Sequence, residues 1–285
     1  MTLEDEVRTR DRTQWLAALF APEPARPALH ALAAYGLELD RIVATVREPL
    51  AAEVRLQWWR DAIRNEGYGE GASVPLVDAL RDGQARYAWP ADTLCAMSEA
   101  RLHDLYADPF EDWTAFDGYA GEVHGAPVQL GAMALGVEAL GREDGLAAAR
   151  TAATAAGWGG VALATAGAAE AFAARAALGH TRLPASAWRE ATGGDLATDL
   201  AAGRVAPRAC EAVAALVRHG TAADAAMREL LPAVAGEVRA AFLPALLARS
   251  RLEAARRSPA EPRVPSAWRA QLALWREARR LRRAR

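Results

Sequence analysis

Glu38, Asp40 and Arg41 lie in a stretch whose apolar residues Leu37, Leu39, Ile42, Val43 and Val46 recur at roughly helical spacing. A carboxylate on such a helix can do metal chemistry when a second follows one turn later, because residues i and i+4 share a face. Two such carboxylates hold Mg2+, a hard cation that takes oxygen ligands and binds substrate phosphates. The metal then neutralises a departing diphosphate. Asp40, however, has Ala44 at i+4. The spacing predicts half of an ion clamp, and Asp40 alone is a weak magnesium site. The plainer expectation is an internal ion-pair network reaching Arg55 or Arg60, since buried charges must be paired.

Tyr119, Glu122 and His124 form a second constellation, beside Gly121, Gly125 and Pro127. A Glu and a His two residues apart can exchange protons with a substrate. No third residue that would orient them is identifiable, so a structural polar cluster is the favoured reading. Trp58-Trp59-Arg60 is a third. Adjacent helical residues point about 100° apart, so one tryptophan can enter the core while the other anchors a partner, as Trp and Arg do at interface hot spots. The segment from Arg263 to Arg285 has eight arginines against Glu277, with Trp268, Leu272, Leu274, Trp275 and Leu281 among them. Such a helix can dock on anionic lipid or can cover the bundle with its apolar side. The five histidines show no HxxxH or HExxH spacing, so no zinc site is expected, and no phosphate loop or nucleophile elbow occurs.

These residues sit in a chain that resembles the squalene/phytoene synthase family, in particular its bacterial branch related to mitochondrial complex I assembly factors. The resemblance runs through DRTQWLAALFAPEPARPALHALAAYGLELDRI, VREPLAAEVRLQWWRDAI, ARLHDLYADPF, YAGEVHGAPVQLGAMALG and FLPALLARSRLE, and is most specific in REPLAAEVRLQWWRDAI. It implies an all-α, isoprenoid-synthase-like helical bundle around a central cavity. Active members carry two aspartate-rich motifs. Asp40 matches the first position of DxxxD, and Ala44 replaces the second. Aligned on Gly160, Ala162 and Leu163, the two acids of the second motif become Ala171 and Arg175. Glu170 is the only acid between Asp144 and Glu190.

The resemblance also places Tyr119 near the catalytic cavity and matches Asp104 to a family acid. Three of four metal-binding acids are absent, which implies a non-catalytic binding protein, or one assisting assembly of a respiratory complex. No cofactor or metal is then expected. The alternative is a prenyltransferase condensing isoprenyl diphosphates at an atypical Mg2+ site, with Glu38, Asp40, Glu122 and Glu170 converging. A lipid carrier keeping an apolar tunnel for an isoprenoid is the third expectation.

A chain of 285 residues can bury a substantial core, and alanine supplies much of its 52% hydrophobic content, which favours helices. All 34 basic residues are arginine, so Schiff-base and P-loop lysines are excluded. The net charge of -2 gives no pull toward nucleic acid. Cys95 and Cys210 have no CxxC spacing and are expected as buried reduced thiols. The charged start lacks an apolar signal region, and the expected place is the cytoplasm, with peripheral contact at the inner membrane face through 266–285.

Proline and glycine punctuation predicts helices over 28–47, 51–65, 75–88, 91–106, 112–136, 143–178, 207–219, 221–232, 234–256 and 266–283, with a long loop between Leu178 and Pro207. The uncharged stretch Thr151–Ala169 is read as a buried central helix whose small residues admit close neighbours. Residues 1–258 form the expected helical domain and 259–285 a Pro-punctuated linker and basic helix.

Overall fold

The computed structural model describes residues 2–46, 48–65, 74–106, 108–260 and 266–283. Arg47, the 67–71 loop, Ala107, Pro262, Arg263, Pro265 and Arg285 lie outside the described residues, and every described element is helical. The chain opens with α1 (Leu3–Arg10) and α2 (Arg12–Ala18). α1 starts at a capping box, in which the Thr2 hydroxyl accepts from the Asp5 amide while the Asp5 carboxylate accepts from the Thr2 amide. α3 (Arg26–Thr45) and α4 (Pro49–Arg64) follow, the latter ending at Asn65 with φ 63°. α5 (Pro75–Tyr87) and α6 (Ala91–Ala100) pack against them, and a 3-10 turn (Arg101–Leu105) carries α6 onward.

α7 (Trp113–Ala120) and α8 (Ala126–Leu140) are joined without a break by a π-helical turn, Gly121–Gly125, in which the Ala126 amide donates to the Gly121 carbonyl. Pro127 explains the widening. In a regular helix its ring would meet the carbonyl four residues back, and a turn wound one residue wider relieves that clash. α9 (Arg142–Thr151) leads into the long α10 (Ala153–Ala177).

α10 is the central helix that its composition predicts, with Ala155, Ala156, Gly159, Gly160, Ala162 and Ala166 buried. A Cβ on Gly160 would lie 2.4 Å from the Gly125 backbone nitrogen and 2.7 Å from the Ala120 carbonyl oxygen. The small residue therefore lets the π turn press directly on α10.

Two short helices, α11 (Ala185–Thr192) and α12 (Leu196–Ala201), occupy the predicted 178–207 loop. Trp188 drives this ordering: it is fully buried, and its indole donates to Asp199 at 2.8 Å. α13 (Ala209–Leu230) is one helix where a break at Gly220 is expected. Gly220 is a crossing point, since a Cβ there would come within 2.9 Å of both Leu252 and Thr165. The predicted 234–256 helix is instead a 3-10 turn (Arg239–Phe242) running into α14 (Leu243–Leu246) and α15 (Ala248–Arg257).

α16 (Ala267–Arg283) closes the described chain. It buries Leu274 and Ala278 against Ala17 of α2 and Leu243 and Leu247 at α14. Its Glu277 is paired with Arg228 of α13 at 3.1 Å. Cys95 is buried as expected, but Cys210 is exposed, because it falls on the outer side of the first turn of α13.

Candidate functional site

A cavity of about 160 Å3 lies between α3, the π turn, α8 and α10. Leu29, Leu32, Leu37 and Leu163 give it an apolar body, and Asp40, Arg101 and His124 give it a polar end. A second cavity of about 400 Å3 shares Asp11, Gln14, Leu163 and Pro244 with it and is also walled by Arg251 and the first turn of α16. The smaller space lies below the roughly 300–1,000 Å3 usual for ligand pockets and the larger within that range.

The polar end is organised by Asp104, the residue that the resemblance matches to a family acid. It sits in the 3-10 turn after α6, and its side chain is only 4% exposed. Arg182 donates to its Oδ1 at 2.5 and 3.1 Å, Arg101 to its Oδ2 at 3.2 Å, and the Tyr119 hydroxyl to Oδ2 at 2.7 Å. Burial alone would raise the Asp104 carboxyl, but Arg182, Arg101 and the Tyr119 hydroxyl outweigh it and hold it below its usual range. The same burial, helped by the Asp104 charge, pushes the Tyr119 phenol well above its ordinary value.

Asp40 reaches this network through Arg101, at 2.7 Å. Its partner is thus Arg101, and neither Arg55 nor Arg60 fills that role. Arg55 is exposed on α4, and Arg60 donates to Gln57 on its own helix. Glu38 and Arg41 pair with each other at 2.6 Å, three residues apart on the outer side of α3. Glu170 forms a two-pronged pair with Arg251, at 2.9 and 2.5 Å. Glu122 is exposed and feels Glu99, and burial of part of its carboxyl together with that charge raises its pKa.

His124 is carried into the cavity wall by the π turn. Enclosure pushes its imidazole down to about 3, and Arg101, Arg182 and Arg251 add to the shift. The ring is neutral at physiological pH, with one nitrogen able to donate a hydrogen bond and the other to accept one. The three members of the Tyr119–Glu122–His124 constellation therefore separate, with Tyr119 in the Asp104 network, His124 in the wall and Glu122 outside.

Arg175, one turn beyond Ala171 on α10, is half-buried. Its carbonyl accepts from the Leu178 and His180 amides, while among the described residues its side chain makes no hydrogen bond or ion pair. Burial lowers its guanidinium pKa, with Arg182 adding to that and Asp104, Tyr119 and Arg101 also felt. The arginine is the residue with no forewarning in hydrophobic pattern; only the motif alignment marked its position.

The donor set does not suit a magnesium cluster. Asp40 and Asp104 are already neutralised by guanidinium groups, and Arg175 adds a further positive charge felt alongside Asp104 and Arg101. Among the described residues no three His, Cys, Asp or Glu side chains stand together as metal ligands.

Trp59 is buried, its ring tilted against Tyr35 with centres 5.4 Å apart, while Trp58 is 41% exposed. Leu50 and Val54, at 73% and 69% exposed, continue the Trp58 side of α4 at i, i+4 and i+8.

A squalene/phytoene synthase family model matches residues 7–276. The chain belongs to the squalene/phytoene synthase family. Its fold matches the crystal structure of squalene synthase HpnC from Alicyclobacillus acidocaldarius at 21% identity, covering 92% of this chain and 94% of that one, with a TM-score of 0.70. It also matches a dehydrosqualene synthase solved in complex with ligand, at 14% identity over 99% and 96% of the two chains, with a TM-score of 0.76. No curated protein matches this chain. At these identities the likeness to solved structures establishes the isoprenoid-synthase-like helical fold. No helix among the described residues is long and apolar enough to cross a membrane.

Proposed function

We propose that this member of the family binds a phosphorylated isoprenoid without Mg2+ and without condensing it. The observation that carries the reading is Arg175. Where the second aspartate-rich motif would supply a metal ligand, a half-buried guanidinium stands among Arg182, Arg101 and Asp104 with no carboxylate of its own. A cation held in that company is stabilised by an anion, and phosphate oxygens accept bidentate bonds from arginine. The apolar wall of Leu29, Leu32 and Leu163 supports a hydrocarbon tail. The restricted volume of the cavity supports one chain in place of two.

Farnesyl diphosphate binding in EDTA, followed by calorimetry, tests this. Arg175→Gln should weaken binding by roughly tenfold, the order expected for a charge-assisted hydrogen bond. Incubation with farnesyl or geranylgeranyl diphosphate and Mg2+ should give no C30 or C40 product. Turnover would sink the non-catalytic reading and favour the prenyltransferase alternative at an atypical site.

A second reading, assistance in assembling a respiratory complex, is favoured by the outward stripe Leu50, Val54 and Trp58. It lies on the helix whose sequence carries the branch resemblance. Leu50→Asp with Val54→Asp should then remove co-purifying respiratory-complex subunits and leave farnesyl diphosphate binding intact. Unchanged co-purification removes this reading alone.

A further inference from the structure

α16 has two faces that do different work. The inner face is spent on the bundle: Leu274 and Ala278 are buried, and Glu277 is only 8% exposed between Arg228 at 3.1 Å and Arg280 at 2.8 Å. The outer face holds Trp268, Leu272 and Trp275 at i, i+4 and i+7, positions that a helix aligns in one stripe. Trp268 is 61% exposed and Trp275 48%. Arg269, Arg276, Arg279 and Arg282 flank the stripe and are exposed. The Arg269 guanidinium lies 5.3 Å from the Trp268 ring centre, and that of Arg279 lies 4.6 Å from Trp275.

We infer that this outer face is a docking surface for an anionic lipid bilayer. Two exposed tryptophans are an unusual load for a surface in water, whereas the indole ring suits the boundary between headgroups and acyl chains. Arginines beside them reach lipid phosphates while their stems stay along the apolar stripe. The charge complementarity is one-sided. The only acid on α16 is Glu277, and it is turned inward and already paired. A protein surface of mixed charge would leave these arginines without partners, and a uniformly anionic lipid surface would not. The helix lies along the surface, since it is already held on its other side by the bundle. Ala267 and Ala270 of its first turn also wall the larger cavity, so the docked helix stands between that cavity and the lipid.

Co-sedimentation of the full chain with vesicles tests the inference, using phosphatidylcholine alone against phosphatidylcholine with phosphatidylglycerol. Binding is expected to the anionic vesicles only, to weaken with salt, and to quench or blue-shift tryptophan emission. Arg276→Gln with Arg279→Gln should weaken it roughly 25-fold, at about fivefold per charge near the surface. Trp268→Ser with Trp275→Ser should abolish the emission change. Both double variants change only exposed side chains, so unaltered circular dichroism is expected, and a folding defect would be visible there. Equal binding to neutral vesicles, no binding to either, or full binding by the tryptophan variant overturns the proposal. Capture of an acidic protein with no vesicle binding overturns it in the same way.

Discussion

Replacing Asp104 by Asn removes the charge at the centre of the polar network while keeping its shape. The wild-type carboxylate, 4% exposed, compensates Arg182 at 2.5 Å and Arg101 at 3.2 Å and accepts from Tyr119 at 2.7 Å. Breaking a buried pair by removing one partner typically costs about 3–5 kcal/mol, because a buried charge is left uncompensated. Two features pull the value to the lower end. Arg101 keeps Asp40 at 2.7 Å, and the Arg182 side chain is 15% exposed and can turn toward water. Asp104→Asn should therefore lose about 3 kcal/mol in urea unfolding at pH 7. The pH dependence has a definite sign. The folded Asp104 carboxyl titrates below the ordinary aspartate range, so its stabilisation is present above that range and is lost as pH falls through the lower folded value. Wild type and variant should converge in acid. A loss under about 1 kcal/mol at pH 7, or a gap that does not narrow as the pH falls into acid, would refute the account of a buried, compensated carboxylate.

Gly160→Ala should destabilise by about 1–3 kcal/mol in the same assay, because its Cβ meets backbone on the π turn and neither partner can yield cheaply. A variant as stable as wild type would mean that α10 and the π turn do not press as closely as Gly160 implies. His124→Phe should flatten the acid side of the stability curve. With a folded pKa near 3, the wild-type ring opposes protonation, so stability falls by up to about 1.4 kcal/mol per pH unit below pH 6.5, and the variant lacks this slope. Identical slopes in the two proteins would place His124 in water. Glu277→Ala should release α16, seen as faster proteolysis within 267–283 and a loss of about 1–3 kcal/mol, since Arg228 loses a partner. Unchanged cleavage would mean that Leu274 and Ala278 hold the helix without the ion pair.

The all-helical fold was legible in the sequence because its causes are local. Alanine content, apolar spacing in α3 and the Pro-Gly punctuation each act over a few residues. α1 could also have been read from Thr2 and Asp5, three apart, but its charged sequence offered no apolar stripe to draw attention. The missed helices α11 and α12 depend on Trp188 finding Asp199 and a core to enter, which no local pattern announces. Gly220 misled for the converse reason: a helix breaker in isolation became a contact point once α15 and α10 lay against it.

The sequence by itself determined which residue types stand where the family motifs carry acids, since Ala44, Ala171 and Arg175 are what they are in any fold. Only the tertiary structure decided what replaced it. Asp40 could have paired with Arg55, Arg60 or nothing, and packing of the turn after α6 beside α3 chose Arg101. Likewise Glu122 and His124 are two residues apart in sequence, yet the π turn sends one to solvent and the other into the cavity wall. Residue types fix which charges exist. Their energies depend on distance and burial, and those are set only when distant segments meet.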